Sequence, residues 1–214
     1  MRVLLLASVL FTTSIASATS DVPVEQKVIE LHIYKNKKEV VAKRKKSKGN
    51  APLNHGTCSG AFISPYGHIL TAKHCVDDGD YFEAITYDNK RYQVDVVAMS
   101  KKHDLALIHI DKFKTPYFTL STSTTRGQQV FVLGSPIGLA DVLSTGVIAR
   151  LDGDLLYLDC SVLPGNSGGP VFDKEGKLLG IATHVNVVMM GLTHLSIAQG
   201  IDAITFFLLS IFGR

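Results

Sequence analysis

The stretch LPGNSGGPVF, from Leu163 to Phe172, places a serine in a tight bend that leads into an apolar β-type segment. Gly165, Gly168 and Gly169 surround Ser167, and glycine tolerates the backbone angles of tight turns better than any other residue. Two interpretations are open at this point. The segment is either an ordinary turn before a strand, or a backbone bent to present one hydroxyl group. Residues elsewhere in the chain decide between them.

The beginning of the chain has the pattern of an export signal. The chain has 214 residues, of which 46% are hydrophobic and 19% charged, a composition typical of a globular protein. Its start, MRVLLLASVLFTTSIASATS, combines a basic residue, a short apolar stretch and the small residues Ala16-Ser17-Ala18. This pattern predicts a signal peptide at residues 1–18, and hence a secreted or periplasmic domain at residues 19–214. A buried N-terminal helix is the alternative.

Basic residues are concentrated in the segment KNKKEVVAKRKKSK at residues 35–48, which holds eight lysines or arginines and one acid. Runs of like charge are usually solvated loops, and we interpret this one as a loop. Weak contact with an anionic surface is the alternative. Apart from Tyr34, no aromatic residue that could stack on bases accompanies these lysines, so we expect no nucleic-acid partner.

Three cysteines, Cys58, Cys75 and Cys160, occur in this chain. Exported proteins form disulfides, and an odd number of cysteines leaves one thiol over. Cys58 and Cys75 are close in sequence and end two β-like stretches, so we predict that they pair and that Cys160 is a buried free thiol. The histidines show no metal-ligand spacing, and we predict no metal and no cofactor.

Short β-type stretches separated by turn residues extend from Val28 to Thr193. The segment VIELHIY, at residues 28–34, alternates apolar and polar residues as a half-buried strand does. Many short strands without alternating helices favour an all-β barrel or sandwich. The last segment, GIDAITFFLLSIFGR at residues 200–214, has the character of a helix. We expect it to dock on the last strands, with a place on a membrane surface as the alternative.

A serine becomes a nucleophile when a base takes its proton and a third group orients that base. In the segment ILTAKHCV, His74 stands at the end of an apolar strand, and in HDLALIHI, Asp104 stands at the head of another. His103 is expected to point the opposite way from its neighbour along the strand. Taken alone, His74 and Asp104 are each also compatible with a purely structural role at the end of a strand. Together with Ser167 in its glycine-rich turn, His74 and Asp104 favour a nucleophilic site.

The segments TAKHC, HDLAL and PGNSGGPVF, in that order, resemble the chymotrypsin-fold serine peptidases. The segments VFVLGSPIGL and STGVIAR are most similar to the HtrA-type branch, and the resemblance covers about residues 28 to 211. It implies an all-β fold of two six-stranded antiparallel barrels, with a boundary near residues 115–128, and a short C-terminal helix. The active site is expected in the cleft between the barrels. We expect no PDZ domain behind the peptidase domain.

The resemblance also implies the roles of individual residues. Ser167 is the nucleophile, His74 is the general base, and Asp104 orients His74. The N–H groups of Gly165 and Ser167 form the oxyanion hole. The implied activity is that of a serine endopeptidase acting on polypeptides. A catalytically silent homologue that serves as a binding module is the alternative, but such proteins usually have a broken triad or serine turn.

Two features depart from patterns within the superfamily. Cys58 and Cys75 occupy the positions of a disulfide that many chymotrypsin-like enzymes have and HtrA-type proteins commonly lack. Asn166 stands where digestive zymogens keep an aspartate, and the sequence lacks their Ile-Val-Gly-Gly start. We therefore expect no activation by insertion of a new N-terminus.

The substrate pocket is also inferred from the resemblance. Ser161 is expected at the base of the primary pocket, and its wall is expected to contain Thr183, His184 and Val185. Asp159 lies outside the register of the acid that a Lys- or Arg-selective pocket needs. We therefore expect small or aliphatic side chains before the cleaved bond. His184 favours the alternative of acidic side chains.

Overall fold

The computed structural model describes residues 22–35, 37, 56–111, 113–185 and 195–213. The predicted signal peptide at residues 1–18 lies outside these ranges. So does the basic segment 35–48, except for Lys35 and Lys37. The described residues form two β-barrels and a helix that packs on them.

The first barrel consists of β1 (Val28–Tyr34), β2 (Gly56–Phe62), β3 (His68–Thr71), β4 (Tyr81–Thr86), β5 (Arg91–Met99) and β6 (Ala106–His109). These strands pair antiparallel and close in the order β1-β2-β3-β6-β5-β4. Their inward side chains form an apolar core that includes Ile29, Phe62, Ile69 and Ile108.

The second barrel consists of β7 (Gln129–Gly134), β8 (Val142–Asp152), β9 (Leu155–Leu158), β10 (Pro170–Phe172), β11 (Leu178–Val185) and β12 (Ser196–Gly200). It is also antiparallel and closes in the order β10-β11-β12-β9-β8-β7. Helix α1 (Ile201–Phe212) follows directly. The predicted fold of two six-stranded barrels with a short C-terminal helix is confirmed.

The almost continuous apolar run that begins at Leu105 and continues through β6 contributes side chains to two cores. Ala106 and Ile108 belong to the interior of the first barrel. Leu105 and Leu107 belong to a second core, shared with residues of the other barrel and of α1. A strand that is buried on both faces needs apolar residues at successive positions. The run therefore places its first residues, and Asp104 just before them, at the junction of the barrels.

Helix α1 packs against both barrels through one stripe of side chains. The buried residues of this stripe are Ala203, Ile204, Phe207 and Leu208. Their spacing places them on one face of a helix. This is the docked placement that the sequence predicts. Within the described ranges, no helix is both long enough and apolar enough to cross a membrane.

The structure joins Cys58 and Cys75 by a disulfide, as the sequence predicts. Cys58 lies in β2, and Cys75 ends the 3-10 turn Lys73–Cys75 that follows β3. Both residues are buried in the core of the first barrel. The bond therefore links the strand β2 to the turn that carries His74.

Replacing both Cys58 and Cys75 by alanine is expected to lower the free energy of unfolding by about 3 kcal/mol, because the open chain gains entropy when unfolded. Urea unfolding of the oxidised protein and the double variant measures this difference. The reduced wild type is the control, and its stability is expected to fall close to that of the variant. Equal stability of the oxidised protein and the double variant would contradict this account.

Candidate active site

Ser167 lies in a turn that favours glycine strongly at two positions. Gly165 has φ +104° and Gly168 has φ +85°, values that L side chains rarely adopt. A Cβ atom at Gly168 would also overlap the carbonyl oxygen of Ser59 and the hydroxyl oxygen of Thr71. The glycines therefore let the turn approach the first barrel closely. This close packing favours a bend that presents the Ser167 hydroxyl over an ordinary turn before a strand.

Ser59, at the centre of β2, holds the serine turn against the first barrel. Its hydroxyl donates to the carbonyl of Gly165 at 2.8 Å and accepts from the N–H of Ser135 at 3.0 Å. Its own N–H donates to the carbonyl of Ser167 at 2.7 Å. The sequence alone does not reveal the role of Ser59, because a small polar residue inside a strand gives no signal of a contact 106 positions away.

Replacing Gly168 by alanine is expected to lower the free energy of unfolding by about 4 kcal/mol, because strain at positive φ and steric overlap each cost roughly 1–3 kcal/mol. Gly127 is the matched control, since it has φ +83° and an added Cβ atom there would meet nothing within 4 Å. Gly127→Ala is expected to cost only about 1–2 kcal/mol. Urea unfolding measures the free energy of unfolding of both variants. Equal losses of stability in Gly168→Ala and Gly127→Ala would contradict the steric overlap at Gly168.

His74 and Asp104 meet at one end of the paired strands β3 and β6. The Nδ1 atom of His74 lies 2.7 Å from Oδ2 of Asp104, and the backbone N–H of His74 donates to Oδ1 at 3.0 Å. A carboxylate can only accept hydrogen bonds, so it selects the tautomer with hydrogen on Nδ1. In the neutral ring this leaves Nε2 as an acceptor. The side chain of Asp104 is 18% exposed and that of His74 is 42% exposed.

The disulfide connects this pair to the serine turn. A ring nitrogen of His74 lies within 4.8 Å of the sulfur atoms of Cys58 and Cys75. Cys75 Sγ lies 3.8 Å from the carbonyl oxygen of Ser167. In the described part of the chain, these two cysteines and His74 are the one cluster of three residues that could ligate a metal, and the disulfide engages both sulfurs.

The peptide before Gly165 has a fixed orientation. The carbonyl of Pro164 accepts from the N–H of Ile137 at 2.9 Å. Because a trans peptide directs its carbonyl and N–H to opposite sides, the N–H of Gly165 points away from Ile137. No acceptor among the described residues takes a hydrogen bond from the N–H of Gly165 or of Ser167. Two backbone donors therefore stand beside the serine.

The family model of the trypsin-like peptidase domain matches residues 58–181. The matched range contains His74, Asp104 and Ser167, and it covers more than half of the chain. The chain belongs to the trypsin-like peptidase family.

Several curated proteins are similar to this trypsin-like domain. A probable periplasmic serine endoprotease, DegP-like, of Halomonas elongata is 30% identical over 166 residues, which are 73% of this chain and 35% of that protein. Protease Do-like 1, chloroplastic, of Arabidopsis thaliana is 32% identical over 146 residues, which are 61% of this chain and 33% of that protein. The chain thus spans about a third of the length of these relatives.

Solved structures share the fold. The serine endoprotease from Yersinia pestis superposes with a TM-score of 0.73 and 21% identity, over 89% of this chain and 64% of that one. An HtrA-type protease with a tripeptide superposes with a TM-score of 0.74 and 21% identity, over 91% of this chain and 63% of that one. The predicted resemblance to HtrA-type peptidases is confirmed.

Among the predicted pocket residues, Thr183 contacts Ser167, and it does so through its backbone. Its carbonyl accepts the Ser167 hydroxyl at 3.2 Å, and its own hydroxyl donates to the carbonyl of Ile197 at 3.3 Å. Ser161 is exposed. His184 and Val185 belong to β11, and their side chains lie outside the described part of the chain. The role of these residues in specificity stays a prediction.

The two residues before Ser161 contact or lie within the second barrel of this trypsin-like domain. Asp159 accepts the N–H of Val147 at 2.6 Å through Oδ1. Cys160 is a free thiol and is buried. Burial raises the pKa of the Cys160 thiol to about 11, so the thiol is protonated at neutral pH. The prediction of a buried free cysteine is confirmed, and its protonated form is a poor nucleophile.

Proposed function

We propose that the chain is a serine endopeptidase that hydrolyses peptide bonds through an acyl-enzyme on Ser167. The observation that carries the proposal is the hydrogen bond of 2.7 Å between His74 and Asp104, formed beside a glycine turn that presents Ser167. Membership in the trypsin-like peptidase family supports it. The serine endoprotease names of the relatives support it as well.

In the proposed mechanism, His74 takes the proton of Ser167 as the serine oxygen attacks the scissile carbonyl. The Ser167 hydroxyl donates to the carbonyl of Thr183 at 3.2 Å, so its hydrogen must redirect to Nε2 of His74. Asp104 holds the tautomer in which Nε2 is an acceptor, and it stabilises the imidazolium that forms. His74 then gives this proton to the leaving amine as the C–N bond breaks. In the second half of the reaction, His74 takes a proton from a water molecule that attacks the acyl-enzyme, and it gives that proton back to the Ser167 oxygen as the ester bond breaks.

The N–H groups of Gly165 and Ser167 are the proposed oxyanion hole. Each such donor stabilises a tetrahedral intermediate by about 3 kcal/mol when it is held in place before the reaction. The contacts of Ser59 and Ile137 with the serine turn provide that support. Their backbone and hydroxyl bonds fix the peptides on both sides of Gly165.

For the substrate, we propose small or aliphatic side chains before the cleaved bond, with Ser161 at the base of the pocket. The hydrogen bond from Val147 to Asp159 supports this choice, because it holds the neighbouring carboxylate against β8. We also propose export through the signal peptide at residues 1–18. The periplasmic names of several relatives support that location.

Incubation with a reduced, unfolded polypeptide tests this function. Mass spectrometry of the new termini is expected to show internal cleavage, with valine, alanine or similar residues before the cut. The variant Ser167→Ala, purified in the same way, is expected to give no new termini. Cleavage mainly after glutamate would favour the alternative specificity, and intact polypeptide in both samples would contradict the proposed activity.

A further inference from the structure

A charged cluster outside the proposed triad joins the two barrels near the start of β6. Nε2 of His103 lies 2.9 Å from Oδ2 of Asp154, and Nζ of Lys102 lies 2.9 Å from the same oxygen. Asp154 lies in the turn between β8 and β9, whereas His103 and Lys102 belong to the first barrel. The hydrogen bonds from Lys102 and then His103 lower the pKa of the Asp154 carboxyl, so it is ionised at neutral pH.

The histidine of this cluster is buried between three parts of the fold. The side chain of His103 is 5% exposed. Its ring lies nearly perpendicular to that of Phe206 on α1, with 5.7 Å between centroids, and the ammonium group of Lys102 lies 5.4 Å from the centroid of the Phe206 ring. The carbonyl of Asp154 accepts the N–H of Gly200 at 2.8 Å. The cluster therefore connects the first barrel, the β8–β9 turn and the start of α1.

The loop that carries His103 is short and closed by its own hydrogen bonds. The N–H of Ser100 donates to the carbonyl of Leu105 at 2.9 Å, and the Ser100 hydroxyl accepts from the N–H of His103 at 3.0 Å. Asp104 lies inside this closed loop, one peptide bond from His103. Because the loop has little freedom, a displacement of His103 also displaces Asp104.

We propose that His103 is a positioning residue for the triad, acting through its hydrogen bond to Asp154. The proposal rests on the proposed peptidase function. His74 and Asp104 lie on the first barrel, and Ser167 lies on the second. Proton transfer between them requires the barrels to keep their relative position. The bond from His103 to Asp154 ties the loop of Asp104 directly to the barrel of the nucleophile.

Kinetics of three variants test this role. His103→Leu and Asp154→Ala are each expected to lower kcat, and the rate of Ser167 labelling by a fluorophosphonate, by roughly 10- to 100-fold, since a misplacement of about 1 Å costs about 100-fold. KM is expected to stay unchanged. The double variant is expected to be no slower than the slower single variant, because both changes remove the same bond between His103 and Asp154. His103→Gln keeps an N–H donor and is expected to recover most of the rate.

Asp152→Asn is the matched control, since Asp152 ends β8 directly before the same turn. It removes the exposed pair of Arg150 and Asp152, whose atoms lie 2.8 Å apart, and it is expected to leave all rates unchanged. Thermal unfolding of each variant shows that the assays use folded protein. Three results would each overturn the positioning role and leave the proposed peptidase function standing. They are unchanged rates in His103→Leu, no recovery of the rate in His103→Gln, and losses that multiply in the double variant. A wild type that does not label would overturn the proposed function, and this role with it.

Discussion

Replacing Ser167 by alanine is expected to lower kcat for peptide hydrolysis by about 10⁶-fold, the loss typical of removing a serine nucleophile. The structure places this hydroxyl in a turn that Ser59 holds by two hydrogen bonds. Alanine fits the same backbone, so the turn and the fold are expected to remain. The measurement is the steady-state rate on a chromogenic peptide with an aliphatic residue before the cleaved bond.

Ser123→Ala is the matched control for this variant. Ser123 is exposed on the connection between the barrels, and its replacement is expected to leave kcat unchanged. Equal melting temperatures of both variants and the wild type show that the fold is kept. If Ser167→Ala retained more than about one per cent of the rate, a different group would carry the reaction, since a lost nucleophile leaves far less.

Replacing Asp104 by asparagine is expected to lower kcat by about 10⁴-fold, because the amide favours the wrong tautomer of the histidine. The carboxylate accepts from Nδ1 and from the backbone N–H of His74, at 2.7 Å and 3.0 Å. An amide at this place can donate to Nδ1 instead, which moves the ring hydrogen to Nε2. Nε2 then has no lone pair with which to take the proton of Ser167.

The same peptide assay measures this loss. Asp77→Asn is the control, since Asp77 is exposed and lies three residues after His74. Its replacement is expected to change kcat less than about twofold, as surface charges contribute little. A loss in Asp104→Asn no larger than in Asp77→Asn would mean that Asp104 does not orient His74.

The sequence predicts the strands and the candidate triad because both leave local marks, whereas the division into two six-stranded barrels is implied by the resemblance. The strands have short apolar segments between turn residues, and Ser167 is surrounded by glycines that its turn needs. His74 and Asp104 each stand at the end of an apolar strand. The pairing of Cys58 with Cys75 follows from their short separation along the chain, and the disulfide is present.

The contacts between the barrels could not be predicted in this way. Ser59 and Gly165 are 106 positions apart, and His103 and Asp154 are 51 positions apart. Such pairs form only after both barrels have folded and packed, so no local pattern marks them. The apolar run of β6 predicts a strand, but it does not show that Leu105 and Leu107 face the other barrel. The orientation of the Thr183 hydroxyl toward Ile197 likewise depends on the pairing of β11 with β12.

The intact mass of the protein after treatment with a fluorophosphonate tests the central claim most directly. We predict one phosphonyl adduct on Ser167, formed in the wild type and absent from both Ser167→Ala and His74→Ala. This result would show that a histidine activates the serine. A folded wild type with its disulfide closed and no adduct, or an adduct that persists in Ser167→Ala, would contradict the account.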